Sequence, residues 1–315
     1  MKSLRWGVIG STSKIYRGAL KPAFDAGSAH EVVGEASRHD GDEQPYAELL
    51  TRPDIDAIYI PLPNTGHKPW ILRALEAGKH VLCEKPLTLT VADTQEVFAA
   101  AASADRVLME AYMWPHHPRA RRVLQLVAAG ELGDLRSVRS TFTYPSSDPT
   151  NHRFDERGAG ALFDIGIYCL APAMLMVDRD HAGVAAVAYR NALGIDESMT
   201  GFVDWGAANA GAGVGSSFEV NFHAPNGRSL EVVGSRGVLT LDSFHVPGPE
   251  KASKIVIERL DGATEKIKVD GANAFVGMAD QFLAVIAGTA PPVFGAVESI
   301  RLANVIEALH GASSG

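Results

Sequence analysis

The chain has 315 residues, enough for two domains of ordinary size. With 46% hydrophobic and 21% charged residues it has globular composition, and only the tail 311–315 is small and polar enough to fray. Lys and Arg total 29 against 37 Asp and Glu, and the net charge of -8 argues against a nucleic-acid binder while leaving room for a local basic pocket.

The first half alternates strand and helix. Residues 4–9 form a short apolar run ending at Gly10, as a buried parallel strand does. A helix follows through about Phe24, then a strand at 31–36. The connection 40–50 has room for a turn or two of helix, and 57–61 reads as the third strand. Residues 68–77 are helical, with Gly78 placed to end them, and 80–83 is the fourth strand. Thr90 with Asp93 makes a capping box for a helix to about Ala102, and 106–109 is the fifth strand. Strands separated by helices predict a doubly wound parallel sheet.

After Trp114 the pattern changes. A helix at 118–129 ends at Gly130, 135–144 reads as one long strand, and 145–160 is a polar loop. Residues 158–177 are apolar enough to look like a membrane span, but Asp164, Tyr168 and Pro172 lie inside and no anchors flank both ends. A buried helix at 161–176 is expected, and no membrane partner. Strand-like runs follow at 184–190, 201–205, 216–223, 229–233, 238–241 and 254–260. Short links such as Pro225-Asn226-Gly227 predict antiparallel hairpins. Helices at 274–287 and 296–310 close the chain. The expected fold class is α/β: a Rossmann domain at 1–117, then an α/β domain at 118–315 with an open, mostly antiparallel sheet. The two cysteines, Cys83 and Cys169, are not in a C-x-x-C pair, and no signal peptide is visible, so a reduced cytoplasmic setting is expected.

Several residues at strand ends carry chemistry. The first strand runs into Gly10-Ser11-Thr12-Ser13. A dinucleotide turn wants G-x-G-x-x-G, so that backbone approaches the pyrophosphate at a helix N-terminus, and Thr12 stands where the second glycine belongs. The hydroxyls of Ser11, Thr12 and Ser13 can still donate to phosphate; an ordinary capped turn is the alternative. Ala36-Ser37-Arg38 has no carboxylate at its tip for a ribose 2′-hydroxyl. Arg38, helped by Ser37, fits a 2′-phosphate, which favours NADP, while Asp40 keeps NAD open.

Leu62, Pro63, Asn64 and His67 follow the third strand at the same sheet edge and can line a cofactor cleft. Glu84-Lys85-Pro86 follows the fourth. A partly desolvated Lys85 there can act in proton transfer; a surface Glu-Lys pair is the plain alternative. Asp164 and Tyr168, four apart in the apolar helix, need polar partners that either a hydroxylated substrate or the core can supply. His116-His117 comes without metal-binding spacing, so no metal site is expected.

These motifs in this order resemble the glucose–fructose oxidoreductase / inositol dehydrogenase family. The matching runs are 6–10, 60–64 with His67, 77–87, 109–114, 130–133, 160–169 and 231–234, covering nearly the whole chain. The run 77–87, Ala-Gly-Lys-His-Val-Leu-Cys-Glu-Lys-Pro-Leu, is the most specific. Within the family the chain is similar to the dimeric dihydrodiol dehydrogenases and NADP-dependent D-xylose dehydrogenases, which carry tyrosine at the position of Tyr168.

The resemblance implies Lys85 as a catalytic or substrate-positioning residue near the nicotinamide ribose, Tyr168 as the proton-transfer residue, and Asp164 in support. It also implies a cis peptide before Pro86 and a homodimer or homotetramer through the C-terminal sheet. Thr12, the shortened stretch after Arg38, and Pro115-His116 in place of an arginine–aromatic pair depart from the family pattern.

The expected reaction is hydride transfer between NAD(P) and a carbinol or aldose carbon of a sugar, polyol or diol. Asn151, His152 and Arg153 would join Asp164 in binding other hydroxyls. The competing readings are a non-catalytic dinucleotide sensor or scaffold, and a redox-assisted hydrolase or isomerase with tightly bound NAD.

Overall fold

The computed structural model describes residues 3–27, 29–38, 41–146, 148, 150–207, 213–243 and 251–313. Asp40 and the last two residues of the tail lie outside the described residues. The chain forms two compact units, one of Met1–His116 with Asn273–Ile300 and one of His117–Ala272 with Arg301–Gly315.

The first unit holds five parallel strands: β1 (Leu4–Ile9), β2 (His30–Ala36), β3 (Ala57–Ile60), β4 (His80–Glu84) and β5 (Leu108–Ala111). Their order is β2-β1-β3-β4-β5. Every residue of β3 and β5 is buried, as expected of strands covered on both faces. β5 starts two residues later than expected. Helices α1 (Lys21–Asp25), α2 (Gln44–Leu50), α3 (His67–Glu76) and α4 (Val91–Ser103) connect the strands. Thr90 caps α4 by accepting from Asp93 N, as its sequence predicts. The chain enters α1 through a π-helical turn at Tyr16–Leu20. Trp6, fully buried, stacks on Phe24 at 4.6 Å and tilts against Phe282 at 5.2 Å. Trimming so large a core ring costs about 3–5 kcal/mol.

The second unit is built on eight strands: β6 (Leu135–Thr143), β7 (Gly183–Arg190), β8 (Asp196–Ala207), β9 (Gly213–Asn221), β10 (Gly227–Gly234), β11 (Gly237–Asp242), β12 (Ser253–Arg259) and β13 (Thr264–Val269). Their order is β13-β12-β11-β10-β6-β9-β8-β7, and only β6–β9 is a parallel pair. Helices α5 (Pro118–Ala128) and α6 (Ile167–Val177) belong to this unit. Alternate residues of β6 and β9 are buried. The inner face packs on α6, where Ser140 Oγ donates to Cys169 O at 3.4 Å. The apolar stretch expected as a buried helix is a π-helical turn, Leu162–Gly166, leading into α6. Among the described residues no helix is long and apolar enough to cross a membrane.

Two expectations need correcting. Pro225-Asn226-Gly227 does not close a hairpin: β6 inserts between β9 and β10, pairing parallel with one and antiparallel with the other, so this link crosses over a strand. The tail does not fray from 311. The last helices are α7 (Ala274–Ile286) and α8 (Ala296–Ala312), and Arg190 Nη2 holds Ser313 Oγ at 2.7 Å.

Candidate active site

In a parallel sheet all carboxyl ends share one edge, and ligands bind outside it where the strand order reverses. Here the reversal lies between β1 and β3. Gly10 leaves β1 with φ +93°, a conformation that strains any side chain, and a Cβ there would stand 2.8 Å from Leu62 Cδ2. The turn is tied to β2 because Gly10 N and Ser11 N both donate to Ala36 O, at 2.8 and 3.0 Å. Ser11 is buried, Thr12 exposed and Ser13 half-buried. At the end of β2 Ser37 is half-buried. Arg38 is anchored by its backbone N donating to Tyr46 Oη at 3.2 Å, and its half-exposed guanidinium is 4.0 Å from Glu43.

After β3, Leu62, Pro63 and Asn64 are half-buried. His67 is fully buried, and its ring nitrogens stand 2.8 Å from Leu62 O and 2.8 Å from Pro86 O. Burial lowers its pKa, opposed by the carbonyls of Leu62, Pro86 and Leu87. His67 thus bridges the loops after β3 and β4, and when neutral it donates its one N–H to one of the two carbonyls.

Glu84, at the end of β4, is also tied down. Its Oε1 accepts from Tyr59 Oη at 2.7 Å and its Oε2 from Lys85 N at 3.3 Å. Lys85 is half-buried, and the Lys85–Pro86 peptide is cis, as the resemblance implies. Glu110 in β5 is a buried carboxylate, tied to the loop after β4, that the sequence reading passed over. It is 2% exposed, and accepts from Leu87 N at 3.0 Å and Ser299 Oγ at 2.6 Å. Burial raises its pKa to about 7 against the opposing pull of its two donors and Lys85. The available signal was a carboxylate inside the apolar run 108–113.

The second unit gathers the other candidates. Arg153 Nε donates to Asp164 Oδ2, and Tyr144 Oη donates to the same oxygen at 3.3 Å. Burial alone would lower the Arg153 pKa, but Asp164 together with Tyr144 and Tyr168 outweighs it and the net shift is upward. Asn151 Oδ1 accepts from both Arg153 N and Nη1 at 3.2 Å. The His152 pKa is lowered by burial and then by Arg153. Of the expected hydroxyl binders, Asn151, Arg153 and Asp164 are thus joined by hydrogen bonds, with Arg153 at the centre. Tyr168 is 8% exposed and packs edge-on against Phe142, with ring centroids 5.4 Å apart. Phe142, Tyr144 and Arg228 reach this region through strand register, which pattern reading does not supply. His116 and His117 are buried, and His117 Nδ1 caps α5 by accepting from Arg119 N at 3.0 Å.

Residues 4–112 match the profile described as "Oxidoreductase family, NAD-binding Rossmann fold", and residues 120–240 match the "GFO/IDH/MocA C-terminal domain". The chain belongs to the GFO/IDH/MocA oxidoreductase family. Among its relatives is a dTDP-3,4-didehydro-2,6-dideoxy-alpha-D-glucose 3-reductase of Streptomyces violaceoruber, 37% identical over 85% of this chain and 81% of that one. A D-xylose 1-dehydrogenase (NADP(+)) of Haloferax volcanii is 29% identical over 98% of this chain and 96% of its own. A solved 3-ketoreductase from Actinomadura kijaniata, in complex with TDP-benzene and NADP, superposes with a TM-score of 0.88 at 29% identity, covering 98% of both chains.

The chain is an NAD(P)-dependent oxidoreductase. The first unit fits the dinucleotide: a left-handed glycine and serine hydroxyls end β1, and a guanidinium stands past β2 at the same edge.

Proposed function

We propose that this family member passes a hydride between NADP and a CH–OH carbon of a sugar, polyol or cyclic diol, with Tyr168 moving the hydroxyl proton. The nicotinamide, when bound, gives or takes the hydride. In the oxidative direction the Tyr168 phenolate takes the proton as the substrate hydroxyl becomes a carbonyl; in reduction the phenol returns it. Lys85, half-buried directly after β4, is the second residue on which we rest the proton chemistry. Asp164 acts through Arg153 and Tyr144, holding the loop before α6. Gly10, Ser11, Thr12 and Ser13 take the pyrophosphate, Ser37 and Arg38 the 2′-phosphate, and Leu62, Pro63, Asn64 and Glu84 shape the nicotinamide side.

One observation carries this reading. The Actinomadura enzyme has been crystallised as a tyrosine-to-phenylalanine and a lysine-to-alanine variant. The two positions stand one residue further apart in that chain than Lys85 and Tyr168 do here. The first unit, Met1–His116 with Asn273–Ile300, would carry the cofactor and the second the substrate. We further place the protein in the cytoplasm, where Cys83 and Cys169, both buried, stay reduced, and as a homodimer or homotetramer through the outer face of the eight-stranded sheet.

The test is a turnover screen of aldoses, polyols and vicinal diols, with their keto forms, against both cofactors. Turnover with NADP(H) preferred is expected. No turnover on any member with either cofactor overturns the reading.

A further inference from the structure

Arg228 stands directly opposite Phe142 across the β10–β6 pair, and directly opposed residues point to the same face of a sheet. That face carries α6 and Tyr168. The Arg228 guanidinium lies over the Phe142 ring, 5.3 Å from its centroid, while Tyr168 packs on the same ring at 5.4 Å. Phe142 thus has both the proposed proton-transfer residue and a permanent cation against it.

Two other charged groups of this unit already have polar partners. Asp164 pairs with Arg153. The buried Arg119 spends Nη1 and Nη2 on Asp242 O and Ser243 O, at 3.2 and 2.8 Å, and its pKa is lowered to about 10 by burial, against the pull of the Asp242 carboxylate. Among the described residues Arg228 has no carboxylate within ion-pair distance, and its Nε is buried without a hydrogen-bond partner. An always-charged group holding an unsatisfied buried donor costs stability unless an acceptor arrives. A guanidinium is also shaped to take two oxygens of one oxyanion.

We propose that Arg228 is a specificity residue that binds an oxyanion substituent of the substrate, a phosphate ester or a carboxylate, held away from the carbon that reacts. This rests on the redox reading above and narrows its substrate class. Phe142 lies against both the Arg228 guanidinium and Tyr168, so an anion held by Arg228 would fix which hydroxyl reaches the phenol. A neutral sugar has hydroxyls enough for the Tyr168 region but nothing to match the Arg228 charge.

Two measurements test it, both on NADP-saturated protein so that the dinucleotide site is filled. The first titrates inorganic pyrophosphate calorimetrically into wild type, Arg228→Gln and Arg228→Lys, with folding checked by melting temperature. Binding by wild type, loss of at least tenfold in affinity in Arg228→Gln, and partial recovery in Arg228→Lys are expected. Absence of binding to wild type, or equal binding by Arg228→Gln, overturns the assignment.

The second compares kcat/KM for glucose, glucose 6-phosphate and glucuronate. A preference of tenfold or more for one of the two anionic sugars, reduced in Arg228→Gln, is expected; which of them is preferred tells phosphate from carboxylate recognition. Equal values for all three sugars overturn the assignment. Pyrophosphate binding that depends on Arg228, with no turnover of any sugar or diol, instead overturns the redox reading.

Discussion

Glu110 makes the stability of this protein depend on pH in a calculable way. Its carboxyl is 2% exposed and its pKa rises from 4.5 to about 7 on folding, mainly by burial. A raised pKa means that the protonated form favours the folded state. The cost of ionising Glu110 is absent below the unfolded value, grows as pH climbs, and levels off above the folded one. At 1.36 kcal/mol per unit the full cost is about 3 kcal/mol, of which roughly 2.5 falls between pH 5 and 8.

Glu110→Gln keeps the shape and removes the titration. Its amide oxygen can still accept from Leu87 N, and its NH2 can donate to Ser299 Oγ. Urea unfolding of both proteins from pH 5 to 8 should show the variant gaining on wild type by about 2–3 kcal/mol across that window. Two stability curves that run parallel over the same range would refute the reasoning, because Glu110 would then be ionised in the folded protein as it is in the unfolded chain.

Other outcomes follow from the same geometry. Gly10→Ala places a side chain at φ +93° and close to Leu62, so it should cost about 1–3 kcal/mol in thermal unfolding and weaken NADP binding in a fluorescence titration. Arg38→Ala should weaken NADP about tenfold or more while changing NAD much less; equal losses for both cofactors would remove Arg38 from the 2′-phosphate. His67→Ala should cost about 2–4 kcal/mol, because it leaves Leu62 O and Pro86 O facing a buried cavity; a loss below about 0.5 would mean that the ring does not fasten the two loops.

The first sheet was legible because local pattern decides it. Short apolar runs, glycine stops and the Thr90 cap each sit within a few residues of the element they define. The second sheet was legible as strands but not as neighbours. β6 pairs with β9 and β10, more than 70 residues further on, and no local signal at Pro225-Asn226-Gly227 reveals a strand inserted between them. β13 escaped notice because only Ile267 and Val269 are apolar in a charged edge strand. Nor does local pattern reveal that Asn273–Ile300 belongs with the first unit.

Among site residues the strand-end motifs could be read directly, since a parallel sheet exposes them at one edge. Glu110, Tyr144 and Arg228 could not, because each gains its meaning from a distant partner: Ser299, Asp164 and Phe142. His67 was readable as a residue of the loop after β3, but not as one whose ring bridges that loop to the one after β4.

The central claim is that one ammonium and one phenol carry the proton chemistry. Stopped-flow measurement of NADPH oxidation at saturating keto-sugar, in wild type, Lys85→Ala and Tyr168→Phe, tests it most directly. Each substitution should slow the step by about 10²–10⁴-fold. Rates within a few-fold of wild type in both variants would contradict the account.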